Sequence, residues 1–124
     1  MQIGIDIVEV SRVRFVLDRW GERFLNHIYT ANEQKEKVLL NYPIPYLAGR
    51  WAAKEALMKA IGVFCLWKDI EITKGDKGQP VVTLLNKAYE LVRGKDKNIS
   101  ISISISHAKE HAVAMAALSE SSGN

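Results

Sequence analysis

Asp6 interrupts a strand-like apolar run, Ile3-Gly4-Ile5-Asp6-Ile7-Val8, and Glu55 lies inside a helical stretch, Arg50-Trp51-Ala52-Ala53-Lys54-Glu55-Ala56-Leu57-Met58-Lys59. Taking a carboxylate out of water with no partner costs several kcal/mol. A cation removes that penalty. Mg²⁺ in particular takes one or two protein carboxylates and completes its shell with waters and substrate phosphates. Lys59 follows Glu55 by one helical turn, so the pattern suggests a site for a phosphorylated substrate. Two plainer accounts fit the same spacing. Glu55 and Lys59 have the geometry of a solvated i,i+4 ion pair, worth roughly 0.3–0.5 kcal/mol. Asp6 could serve the N-terminus of a following helix.

The elements that must position these groups follow from periodicity. Residues 2–8 read as a strand with Ile3, Ile5 and Ile7 on one face and Gly4, Asp6 and Val8 on the other. Ser11 is an expected N-cap for a helix running to Trp20, broken by Gly21. A short helix carries Phe24, Leu25 and Ile28. Thr30-Ala31-Asn32-Glu33 has capping-box spacing and predicts a helix over 31–40; Pro43-Ile44-Pro45 ends that region. A helix over 46–61, closed by Gly62, gathers Gly49, Ala52, Ala53, Ala56 and Ala60 on one side, which permits close approach of another element. Arg50 and Lys54 share one charged edge of it, Glu55 and Lys59 the other.

Strands are expected at 69–73 and 80–83, then a helix over 84–93. Isoleucines at 99, 101, 103 and 105 alternate with serines at 100, 102, 104 and 106, a strict period of two. His107-Ala108-Lys109-Glu110 connects this strand to a last one over 111–118, apolar on both faces as a central strand would be. The fold class is therefore α+β, a mostly antiparallel sheet against a long helix. One domain spans 1–118, with a flexible tail over 119–124.

Bulk properties narrow the function classes. With 124 residues, 48% hydrophobic and 25% charged, the chain is large enough for one packed domain and too apolar to be disordered. The single cysteine, Cys65, allows no intrachain disulfide and reads as core filler beside Phe64 and Leu66. No run approaches the roughly 20 apolar residues of a membrane span, and no secretory signal opens the chain, so a cytoplasmic location is expected. The net charge of +3 suits an acidic partner or a polyanionic small molecule. A nucleic-acid-binding module is the competing class; against it, the cations are scattered among acids and form no binding motif.

Three segments resemble the holo-acyl-carrier-protein synthases, the small bacterial 4′-phosphopantetheinyl transferases: residues 3–10, residues 47–60, and Ser104-Ile105-Ser106-His107 with Ala112 and Ala114. Trp67-Lys68-Asp69-Ile70-Glu71-Ile72 and Gly78-Gln79-Pro80 fit between them. The resemblance implies transfer of phosphopantetheine from coenzyme A to a serine of an apo acyl carrier protein. It implies Asp6 and Glu55 as Mg²⁺ ligands, with Glu55 and Lys59 in catalytic roles. Arg50, Lys54, Lys59, Ser106 and His107 become the coenzyme-binding set, and Arg12, Arg19 and Arg23 a docking surface for an acidic carrier. It also implies the phosphopantetheinyl transferase fold and a homotrimer with sites at subunit interfaces, for which the apolar last strand and Phe64, Leu66 and Trp67 are the sequence support. Where the family has a glycine-rich stretch, this chain runs Val63-Phe64-Cys65-Leu66. A coenzyme A-binding relative without catalysis remains the alternative within the family.

Overall fold

The computed structural model describes residues 1–40, 44–93 and 98–120, and only the backbone of 37–40. In chain order the elements are β1 (Gln2–Glu9), α1 (Val10–Trp20), α2 (Glu22–Ile28), α3 (Ala31–Leu40), α4 (Ile44–Ile61), a 3₁₀ turn (Trp67–Asp69), β2 (Ile70–Lys74), β3 (Pro80–Leu84), α5 (Asn86–Arg93), β4 (Ile99–His107) and β5 (His111–Glu120). Two antiparallel sheets result, β1-β5-β4 and β2-β3. The last strand is central, as its two apolar faces require.

Alternation sets the register. Gly4 pairs with Ala116, Asp6 with Ala114 and Val8 with Ala112; across β5 these alanines pair with Ile103, Ile105 and His107. That inner face carries α4, which is buried nearly all round and forms the centre of the core with Val8, Val13, Leu47, Leu57, Ile70 and Ile72. The small residues of α4 let it lie directly on the sheet. A Cβ on Gly4 would stand 1.9 Å from the carbonyl oxygen of Ala56, and one on Gly49 would stand 2.8 Å from Cγ2 of Ile105. The helix therefore crosses the sheet obliquely, its first half over β4 and its last turns over β1.

Local signals and tertiary context compete at the element ends. The capping box forms, Thr30 N–H donating to Glu33 Oε1 at 2.8 Å and Glu33 N–H to Thr30 Oγ1 at 3.2 Å. Gly62 closes α4 with φ of 87°. Ser11 is not an N-cap: α1 starts at Val10, whose N–H donates to the Glu110 carbonyl at 2.9 Å, a partner supplied by the β4–β5 turn. α4 begins at Ile44, two residues before its expected start, because Pro45 suits a first helical turn. Leu84 belongs to β3 and α5 starts at Asn86. β5 continues to Glu120, so Ser119 and Glu120 are strand rather than tail; residues 121–124, with Pro43 and Gly94, lie outside the described residues. Cys65 packs at the core edge, while Phe64 and Leu66 on either side of it are 88% and 70% exposed.

The outer sheet face is apolar. Ile3, Ile5 and Ile7 are exposed, and Ile5 pairs with Met115, itself exposed. Beyond them, Ser100, Ser102, Ser104 and Ser106 give the β4 side of that face its hydroxyls.

Candidate active site

The close crossing of α4 over β1 brings Asp6 and Glu55 together. Gly4 admits the helix backbone, and Asp6, two residues on and on the same face, then meets the helix edge that carries Glu55 and Lys59. Glu55 is pushed up to about 7, first by a hydrogen bond to Asp6, then by burial and by the charge of Asp6, while Lys59 and Arg12 pull it down. Lys59 Nζ donates to Asp6 Oδ1 at 3.0 Å and to the Ile5 carbonyl at 3.2 Å. Asp6 Oδ2 is buried and, among the described residues, has no hydrogen-bond partner. Two facing carboxyls with an orphaned oxygen form a donor set for a hard divalent cation such as Mg²⁺. Among the described residues no group of three His, Cys, Asp or Glu side chains that could hold a metal ion exists.

A second cluster lies where the first half of α4 crosses β4. Tyr46, Arg50, Lys74, Gly78, Pro80, Ile105 and His107 line a cavity of about 190 Å³. Arg50 is 6% exposed; its Nη2 donates to the Tyr46 hydroxyl at 2.8 Å, and its Nε is buried without a partner among the described residues. Three cationic or imidazole side chains around one concavity suit a phosphate. The two clusters are separated by the width of the helix. Asp6 and Ile105 share a row through Ala114, two strand spacings or roughly 9–10 Å apart.

Ser106 does not share this cavity. It alternates with His107 and Ile105 and lies on the outer sheet face, opposite Val113. Lys54 requires a larger correction. It is not on an available helix edge but fully buried, donating to Glu33 Oε1 at 2.7 Å and to the carbonyls of Ile28 and Trp67 at 2.6 and 3.1 Å. All three ammonium protons are used, and none is left for a ligand. Glu33 accepts in addition from Thr30 N–H and from Ile72 N–H, each at 2.8 Å. Burial pushes Glu33 up and Lys54 down, and this hydrogen-bond set opposes both shifts.

The arginines divide into two groups. Arg12 lies over the Trp51 ring, 5.2 Å from its centroid, on the side of α4 that carries Glu55. Arg19 and Arg23 bracket Trp20 at 5.3 and 5.6 Å, beside a shallow cleft of Val16, Trp20, Arg23, Phe24 and His27. Trp51 also packs edge-on against Phe24 and Trp67, which ties α2 and the 3₁₀ turn to α4. Tyr46, Lys74 and Glu36 escaped the sequence reading. Of the rest of the cavity lining, Arg50 and His107 were in the expected coenzyme-binding set, and Gly78, Pro80 and Ile105 lie in segments that carried the resemblance.

The profile of the 4′-phosphopantetheinyl transferase superfamily matches residues 2–116. The chain belongs to the holo-acyl-carrier-protein synthase family of these transferases. It is 44% identical over 123 residues to a holo-[acyl-carrier-protein] synthase of Natranaerobius thermophilus, covering 94% of each chain, and 44% identical over 120 residues to that of Chlamydia pneumoniae, again 94% of each. Among solved structures it is similar to family members from Bacillus anthracis, in complex with CoA (3′,5′-ADP), and from Neisseria meningitidis. The TM-scores are 0.79 and 0.86, the identities 34% and 28%; the alignments cover 97% and 96% of this chain and 96% and 98% of those chains. The family's α+β fold, with an antiparallel sheet against a long helix, is the fold observed. Among the described residues no helix is long and apolar enough to cross a membrane.

Proposed function

We propose that this protein transfers the 4′-phosphopantetheine group of coenzyme A to a serine hydroxyl of an apo acyl carrier protein, with Mg²⁺ as cofactor and adenosine 3′,5′-bisphosphate as the other product. The observation that carries this reading is the Asp6–Glu55 pair, two carboxyls held together beside Lys59 with one oxygen unsatisfied. The relatives' names give the reaction class, and the complexes with coenzyme A in the Bacillus anthracis and Helicobacter pylori family members support it as co-substrate.

Asp6 and Glu55 would hold a Mg²⁺, which would supply charge neutralisation at the pyrophosphate and a template for its orientation. Lys59, 53% exposed at its side chain, is free to turn from Asp6 towards a phosphate oxygen. Arg50 and His107 hold a phosphate of the coenzyme at the other end of the helix crossing. The carrier serine oxygen attacks the phosphorus that bears the pantetheine arm. A new P–O bond forms as the bond to the bridging oxygen breaks, and adenosine bisphosphate leaves. The serine proton passes to Glu55 or to a water that Glu55 orients. Arg12, Arg19 and Arg23 attract the acidic carrier.

The family resemblance implies a homotrimer with sites shared between subunits, and the placement of the two clusters on opposite sides of α4 supports the sharing. The carboxylates of one copy face the phosphate cavity of the next, and the exposed outer face of Ile3, Ile5, Ile7 and Met115 supplies an apolar surface for assembly. Two inactive variants, Asp6→Asn and Arg50→Met, test this when co-expressed. Shared sites restore up to about a quarter of wild-type release of adenosine 3′,5′-bisphosphate, because one interface type in four is intact. No recovery in a verified mixed assembly overturns the sharing. No release by the wild-type protein with several carriers overturns the transfer itself.

A further inference from the structure

Tyr46 has no part in the chemistry derived above, yet it is the contact on which Arg50 rests. Arg50 Nη2 donates to the tyrosine oxygen at 2.8 Å, and the guanidinium carbon lies 4.4 Å from the ring centroid. The tyrosine O–H donates in turn to Glu36 Oε1 at 2.8 Å, and Glu36 Oε2 accepts from the Lys74 N–H at 2.8 Å. We infer that Tyr46 is a positioning residue. Its hydroxyl, oriented by Glu36, fixes the Arg50 guanidinium in the wall of the cavity that takes a phosphate of coenzyme A. This rests on the functional reading above.

Proton direction makes the chain specific. Burial and the hydrogen bond to Glu36 push the Tyr46 hydroxyl up to about 12, so it keeps its proton at neutral pH. That proton is committed to Glu36, which leaves an oxygen lone pair for Arg50. Tyrosine also keeps the carboxylate of Glu36 one group away from the cavity, where an anion would repel the ligand. Because Glu36 is anchored on the first residue pairing of the β2–β3 hairpin, Lys74 with Pro80, the relay ties α3, α4 and β2 around the cavity. A guanidinium clamped at one Nη and stacked on a ring loses little rotamer freedom when it binds a phosphate.

The test is a double-mutant cycle on coenzyme A binding, by calorimetry on the intact protein, with steady-state kinetics alongside. Tyr46→Phe keeps the ring and removes the hydroxyl. It is expected to weaken coenzyme A binding about tenfold, the usual consequence of losing a hydrogen bond to a charged group. KM for coenzyme A rises in step, while kcat and the melting temperature stay within error. In an Arg50→Met background, which keeps the aliphatic stem, the same change has an effect of less than about twofold. Unchanged binding in Tyr46→Phe, or equal losses in both backgrounds, overturns the inference. A wild-type protein that binds coenzyme A but makes no holo carrier overturns the transfer reading alone, because the cycle still reports on Tyr46.

Discussion

Glu55 and Asp6 present their carboxyls to one another where the last turns of α4 cross β1, and Asp6 Oδ2 is left buried with no partner among the described residues. The backbone of Ala56 reaches β1 only because residue 4 has no side chain. A hydrogen bond to Asp6, then burial, then the charge of Asp6 raise the affinity of Glu55 for a proton.

The pair should therefore be a liability in the metal-free protein. The folded-state value for Glu55 is about 7 against an ordinary 4.5, so the folded protein holds a proton there that the unfolded chain releases. Stability attributable to this proton is present below about pH 4.5 and lost as pH rises towards 7. In the presence of a chelator, Glu55→Gln should melt a few degrees above wild type at pH 8 and at the same temperature at pH 4.5. Equal differences at both pH values would show that the carboxyl pair is not the cause.

Metal binding should compete with that same proton. Below pH 7 a cation must displace it, so the apparent Mg²⁺ affinity falls as pH falls, approaching about tenfold per unit below pH 6. Calorimetry in buffers of different ionisation enthalpy should show proton release on Mg²⁺ binding at pH 6 and little at pH 8. Proton release unchanged between the two would place the cation elsewhere.

Lys54 and Glu33 form a buried pair whose role is structural. Lys54→Met leaves Glu33 in the core without its cation and should cost about 3–5 kcal/mol of stability, measured by urea denaturation. KM for coenzyme A should not change in the protein that remains folded. A small stability loss with a raised KM would return Lys54 to the coenzyme-binding set.

Parity and local motifs made much of this legible in the sequence. The Gly4, Asp6, Val8 alternation put Asp6 on the face that α4 covers, the Ile–Ser alternation gave β4 its two faces, and Thr30-Ala31-Asn32-Glu33 was realised as a cap. The same parity separates Ser106 from His107, although the family resemblance grouped them. Lys54 was misread because helical spacing gives an edge, and what stands against that edge is decided by residues 21 positions earlier and 13 later. The start of α1 was missed for a similar reason, since its first N–H is satisfied by Glu110, 100 residues away in sequence. Tyr46 and Glu36 formed no pattern at all. Their hydrogen bond spans two helices, and no period within either helix encodes it.

The arginines make separable predictions for the carrier. Arg12→Glu should raise KM for an acidic carrier roughly fivefold to tenfold at low salt, with less effect at 0.5 M salt, and change kcat little. Arg19→Glu and Arg23→Glu should act in the same direction without touching Trp51. A fall in kcat with an unchanged carrier KM would mean that Arg12 serves the carboxylate cluster beside it.

The central claim is metal-dependent transfer at the Asp6–Glu55 pair. Its most direct test is intact-protein mass spectrometry of an apo acyl carrier protein incubated with this protein, coenzyme A and Mg²⁺, beside the same mixture with chelator and one with Asp6→Asn. The account predicts a mass gain of one phosphopantetheine in the first reaction only. An equal gain in chelator, or with Asp6→Asn, would contradict it.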